Sequence, residues 1–286
     1  MSFPMKEIVG THNILMLTLD TLRYDVAQQL LEDGATPRIS AFIGGAWQQR
    51  HTSGSFTYAA HQAFFAGFLP TPIHPRMGST SREDRLFAAR FAGSETTGPH
   101  TFAFDEADLV SAMRARGYHT VCIGGVGFFN KQSAISSVFP DLFEHSFWET
   151  KLGVTDKHST EHQFRLAGDT LQRLESRKPV FLFVNISAIH QPNYFYLPEI
   201  LRTEGKTDNL QSHGAALQYV DSQWPLLCDA LATRPEPWFY VVCSDHGTTY
   251  GDDGYQGHRL AHPAVWNVPY AEGIWTKPST SEIQSA

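Results

Sequence analysis

Ser244-Asp245-His246-Gly247 sets a carboxylate and an imidazole side by side, directly after the apolar run Trp238–Cys243. Glycine permits a sharp bend where a strand stops, and two metal ligands fit there. The same four residues would also serve as a polar turn capping a strand. Another carboxylate, Asp20, stands in Leu19-Asp20-Thr21-Leu22-Arg23-Tyr24-Asp25, again immediately after an apolar run, Asn13–Leu19. The combination is more specific than either part.

These residues can act together only if the chain brings strand ends to one place. Apolar runs of strand length at Asn13–Leu19, Thr120–Gly125, Val180–Ile186 and Trp238–Cys243 alternate with segments of helical spacing. Helices are expected at Asp105–Arg116, at about His162–Ser176 and at about Ser212–Ala232. The pattern predicts an α/β fold, a doubly wound and mostly parallel central sheet with helices on both faces. In such sheets ligands gather outside the carboxyl ends of the strands, and Asp20, His190, Asp245 and His246 all follow strands. Residues 1–276 are expected to form a single domain. Pro70–His100, rich in Pro, Gly, Ser, Thr and Arg, reads as an irregular excursion near the site, and Lys277–Ala286 as a frayed polar tail.

At this point the sequence resembles the alkaline phosphatase superfamily, nearest its sulfatase-like and phosphoethanolamine-transferase-like branches. Their first strand ends in an acidic metal ligand, often followed by Leu-Arg-x-Asp, and a late strand ends in Ser/Gly-Asp-His-Gly. The stretch from Gly54 to Pro70, GSFTYAAHQAFFAGFLP, is similar to the family's nucleophile segment, where a Thr, Ser or Cys opens a helix. Thr57 falls at the nucleophile position. A hydroxyl at a helix N-terminus faces unpaired N–H groups and the positive end of the dipole, which favour an anionic phosphoryl group. A threonine there can also be a plain N-cap. Ala59 and Ala60 stand where relatives often carry Pro and Ser. Thr57 also replaces the cysteine that true sulfatases convert to formylglycine, so the resemblance implies a covalent phospho-threonine rather than ordinary sulfatase chemistry.

Ser187–Tyr194, SAIHQPNY, resembles a His-x-Pro-Tyr stretch of the sulfatase-like branch with Asn193 inserted, which makes His190 a substrate or second-metal candidate. His258 lies thirteen residues after Asp245 and ten before Val268-Pro269, the place of a Gly-Lys or a lone His in relatives; His262 is a weaker rival. The resemblance implies one divalent ion, zinc or manganese, held by Asp20, Asp245 and His246 with Thr57 as fourth ligand. Two-metal relatives carry a carboxylate shortly before the histidine that His190 matches. This chain offers only Asn185 and Ser187, so a second ion would be held weakly. Two carboxylates cancel a divalent cation, leaving His190, His258 or a loop cation (Lys131, Arg76 or Arg82) to meet the substrate's charge.

The implied function is a metal-dependent hydrolase of phosphate-type esters: a phosphodiester, or a phosphonate or phosphate monoester. A phosphotransferase or mutase using the same intermediate is the first alternative, and a catalytically silent binding partner the second. Lys and Arg total 22 against 29 Asp and Glu, a net charge of -7, which argues against nucleic acid and anionic membrane surfaces as partners. The expected partner is a small-molecule anionic ester. The apolar run Ile14–Leu19 is too short for a signal peptide or a membrane span, so a cytoplasmic location is expected. Cys122, Cys228 and Cys243 are expected to be reduced.

Overall fold

Successive side chains of a strand point to opposite faces of a sheet, so an unbroken apolar run makes a strand that is buried on both sides. The computed structural model describes residues 3–69, 108–175, 177–202 and 207–278, with the backbone alone of 86–87 and 101–102. Seven strands form its central sheet: β1 (Asn13–Leu19), β2 (Gln48–His51), β3 (His119–Ile123), β4 (His145–Phe147), β5 (Val180–Ile186), β6 (Trp238–Cys243) and β7 (Asn267–Trp275). Their order is β2-β7-β6-β1-β5-β3-β4. The pairs β1·β5, β1·β6, β3·β5 and β3·β4 are parallel, and β7 runs antiparallel to both its neighbours, β6 and β2. This is the mostly parallel α/β sheet that the sequence predicts.

The principal helices are α1 (Tyr24–Glu32), α2 (Pro37–Ile43), α3 (Thr57–Ala66), α4 (Leu109–Ala115), α5 (Ser159–Arg173) and α6 (Leu210–Leu231). Leu15, Leu17 and Leu19 of β1 and Leu182 and Val184 of β5 pack with Phe164 of α5 and Trp224 of α6 on one face. Ile14 of β1 and Phe181 and Phe183 of β5 turn to the other face, where Phe65 of α3, Phe129 and Phe139 join them. Fully burying one such ring contributes about 2 kcal/mol of transfer free energy, and that anchors α3 firmly against the sheet. A cavity of about 660 Å³ lies under the C-terminal half of α3, lined by Met16, Phe64, Phe239 and Val241 among others. All three cysteines are free, with Cys122 and Cys243 buried.

The helix expected at Asp105–Arg116 begins at Leu109, because Asp108 caps it by accepting the N–H of Ser111 at 2.8 Å; residues 105–107 lie outside the described residues. The third strand ends at Ile123 rather than Gly125, and the helices expected at 162–176 and 212–232 run Ser159–Arg173 and Leu210–Leu231. Most of Pro70–His100 and of the C-terminal tail is likewise outside the described residues. No helix among the described residues is long and apolar enough to cross a membrane.

Candidate metal centre

In the parallel pair β1·β6, Thr18 stands opposite Cys243, so Asp20 and Asp245, each two residues further on, leave the sheet together. β5 flanks β1 on the other side with Asn185 opposite Thr18. Strand register alone therefore brings the three segments to one point at the carboxyl edge of the sheet.

Asp20, Asp245 and His246 are fully buried there, and one ligand atom from each lies within 4.8 Å of the others. His246 Nε2 is 3.8 Å from Asp20 Oδ1 and 3.6 Å from Asp245 Oδ2. Each carboxylate has one oxygen tied back. Asp20 Oδ2 accepts from Asn185 Nδ2 at 3.0 Å, and Asp245 Oδ1 accepts from the backbone N–H groups of Thr21 (3.3 Å) and His246 (3.0 Å). The other two oxygens, Asp20 Oδ1 and Asp245 Oδ2, are buried with no hydrogen-bond partner. Buried carboxylate oxygens left unpaired beside an imidazole are a strong reason to expect a cation. His246 Nδ1 lies 2.8 Å from the carbonyl of Gly247; donating there leaves the Nε2 lone pair facing the two oxygens, the orientation of a metal-ligating histidine. The residues thus fit a divalent ion.

Glycine at 247 is demanded by packing, since a Cβ there would overlap the carbonyl oxygen of Ala264. The close approach lets Gly247 N–H donate to Val265 at 2.6 Å and lets Thr52 Oγ1 donate to the carbonyl of Asp245, which hold the bend.

Thr57 is the first residue of α3, and Phe56, whose side chain makes no cap bond, occupies the N-cap. The Thr57 hydroxyl is instead 3.4 Å from Asp20 Oδ2 and 3.3 Å from His246 Nε2. It therefore joins the cluster that the sequence predicts for it. Gly67, at φ 76°, ends the helix in the left-handed conformation.

The candidate histidines separate. The ring of His258 lies 4.6 Å from that of His246 and 5.6 Å from that of His190, so both enter the cluster. His258 Nδ1 is buried without a partner. His262 has both ring nitrogens engaged, Nδ1 accepting from Ala264 N–H at 3.1 Å and Nε2 lying 3.2 Å from Asp253 Oδ2. Asn185 donates its amide N–H groups to Asp20 and Thr18 and its oxygen accepts from Val126 N–H, and Ser187 donates to the carbonyl of Leu152, so both side chains are already engaged. Lys131 is exposed, with Nζ 2.9 Å from Ser146 Oγ, and Arg76 and Arg82 lie outside the described residues. Arg23 is held by both oxygens of Asp25 and both of Asp252, and so clamps the loop after β6 to the loop after β1.

His61, one helical turn after Thr57, was not singled out by the sequence. Buried among Phe64, Phe65, Phe129, Phe139 and Phe183, it lies with Nδ1 2.7 Å from the Thr57 carbonyl and 3.7 Å from Asp245 Oδ2. Burial pushes its pKa down to about 3, so it is neutral. The signal that could have found it is the four-residue spacing from Thr57 on a buried helix face.

Burial, then the neighbouring Asp245 charge, raises the Asp20 carboxyl from 3.8 to about 6, and burial raises that of Asp245 to about 7. With both values raised, the metal-free folded chain holds protons that the unfolded chain releases. The resulting stability is complete below 3.8 and is lost as pH climbs through about 6 and about 7. Metal-free protein should therefore melt at a lower temperature at about pH 8 than at about pH 5, and a divalent ion should reverse most of the drop. Thermal melts with and without chelator check this; a metal-free melting temperature unchanged between the two pH values would contradict it.

A sequence model of the sulfatase family matches residues 12–272. Among curated proteins none matches the sequence. The C-terminal periplasmic domain of EcEptC from Escherichia coli, in a complex with Zn, superposes with a TM-score of 0.61 at 14% identity, over 93% of this chain and 73% of that one. The soluble domain of lipooligosaccharide phosphoethanolamine transferase A from Neisseria meningitidis gives 0.60 at 15% identity, over 92% and 76%. A protein in the alkaline phosphatase superfamily from Vibrio parahaemolyticus gives 0.53 at 17%, over 93% and 60%. At such identities the shared property is the fold.

Proposed function

The chain belongs to the sulfatase family, and we propose that it is a metal-dependent hydrolase of phosphate-type esters with Thr57 as nucleophile. The observation that carries this reading is a threonine hydroxyl at a helix N-terminus, 3.4 Å from Asp20 Oδ2 and 3.3 Å from His246 Nε2, in a cluster where Asp20 Oδ1 and Asp245 Oδ2 are buried without a partner.

Asp20, Asp245 and His246 would hold one divalent ion, zinc or manganese, which when bound supplies Lewis acidity to the hydroxyl and to the phosphoryl oxygens. The chain's own residues do the rest. Thr57 Oγ1 attacks phosphorus in line, the bond to the leaving oxygen breaks, and the hydroxyl proton is released as the departing oxygen takes one up. The amides of the first turn of α3 face the developing negative charge. His258, held neutral by burial and by the neighbouring His246, serves as a hydrogen-bonding group for a phosphoryl oxygen rather than as an acid. Water then attacks the phospho-threonine and restores the hydroxyl.

A transferase, in which a second alcohol replaces water in the last step, is supported by the fold shared with the phosphoethanolamine transferase domains. Turnover of nitrophenyl phosphate, phosphonate, diester and sulfate esters, with and without an added acceptor alcohol, tests both. A phosphate-type ester should be turned over fastest, and the alcohol adduct should appear only if transfer competes. No turnover of any phosphate-type ester, or faster turnover of the sulfate, would reject the proposal.

A further inference from the structure

A centre in which two carboxylates offset one divalent ion has no net charge left for an anionic ester. Of the loop cations named from the sequence, Lys131 is turned to Ser146 and Arg76 and Arg82 lie outside the described residues; Arg23, near the site, is paired with Asp25 and Asp252. Arg259 does not share their engagement. It is exposed, and among the described residues no carboxylate pairs with its guanidinium.

Its position is unusually well fixed. Arg259 follows His258 directly and adopts the left-handed conformation at φ 69°, rare for a residue with a side chain. Its backbone N–H donates to the carbonyl of Ser55 at 2.8 Å, and its guanidinium lies over the Phe56 ring, 5.0 Å from the centroid. Ser55 and Phe56 are the two residues before Thr57, so Arg259 is fastened at two points to the segment that presents the hydroxyl. Stacking on a ring leaves the N–H groups of a guanidinium free to bind an anion edge-on. His258, the residue before it in the chain, has its ring 4.6 Å from that of His246, so Arg259 adjoins the cluster on one side and the Thr57 segment on the other.

We propose that Arg259 is a substrate-binding residue that pairs with an anionic oxygen of the ester, and that the resulting single positive charge selects monoanionic phosphodiesters over dianionic monoesters. The inference rests on the phosphoester reading above. The preference follows from charge balance: a diester's one negative charge is matched, whereas a monoester dianion leaves one charge uncompensated.

The test uses metal-loaded wild type, Arg259→Gln and Arg259→Lys with bis(4-nitrophenyl) phosphate, 4-nitrophenyl phosphate and, in calorimetry, inorganic phosphate. Wild type should favour the diester. Arg259→Gln should lose about 10- to 100-fold in kcat/KM on the diester, mainly through KM, and bind phosphate more weakly by a similar factor. Arg259→Lys should recover part of both, since a charge without the planar fork binds less well. Metal content and melting temperature should be unchanged in both variants. If Arg259→Gln matches wild type in KM and phosphate affinity while diester turnover persists, Arg259 binds no substrate and only this inference falls. A wild-type preference for the dianionic monoester overturns the charge selection. Wild-type protein that neither turns over these esters nor binds phosphate overturns the reading of the site, and this inference with it.

Discussion

Thr57→Ala should fold, melt close to the wild-type temperature and lose phosphoester turnover by about 10^3-fold or more. The two halves of that result have separate causes. Losing a helix N-cap costs about 1 kcal/mol, but the N-cap here is Phe56 and Thr57 is the first helical residue. Alanine is also a good helix former, so the helix itself loses little. The hydroxyl, by contrast, sits 3.4 Å from Asp20 and 3.3 Å from His246, both fully buried. Removing it removes the atom that would form the covalent intermediate. Thr57→Ser keeps the oxygen and should retain part of the rate. Circular dichroism, thermal melts and single-turnover assays on the three proteins check all of this. Near-wild-type turnover by Thr57→Ala would assign attack to a water molecule and remove threonine from the mechanism.

The parts of this fold legible in the sequence are those where one physical signal dominates. β1, β5 and β6 are buried on both faces, so their apolar runs match the observed strands residue for residue. β2, with Gln48-Gln49-Arg50-His51, is exposed throughout and pairs with β7 alone, so its composition says nothing of a strand. β7 carries Pro269 and Gly273, both strand-weakening residues, and its register is fixed by β6. The same division runs through the site. Asp20, Asp245, His246 and Thr57 follow strand ends or open a helix, and position alone marks them. Arg259 owes its place to tertiary contacts with Ser55 and Phe56, which no local spacing carries, whereas His61 is marked only by its four-residue spacing from Thr57 and reaches Asp245 through the fold.

Asp245 distinguishes a metal site from a merely polar one, because its two oxygens do different work. Oδ1 anchors the backbone N–H groups of Thr21 and His246, while Oδ2 is buried without a partner. Asp245→Ala removes both functions and should strip most of the metal together with some stability. Asp245→Asn keeps an oxygen for the two N–H groups and removes the charge, so it should fold and still lose the metal. In metal-free protein above about pH 7 the asparagine variant should be the more stable of the two chains, since it relieves a buried carboxylate whose pKa burial raises to about 7 and whose charge also opposes Asp20. With saturating metal the order should invert: at a thousandfold excess over Kd an ion that binds only the folded wild type stabilises it by about 4 kcal/mol, whereas the variant gains little. Elemental analysis and melts of both chains, with and without chelator, read the two signs separately. If Asp245→Asn keeps its full metal content, Asp245 is not a ligand. If metal stabilises both chains equally, the ion binds elsewhere and the unpaired oxygens beside His246 need another explanation.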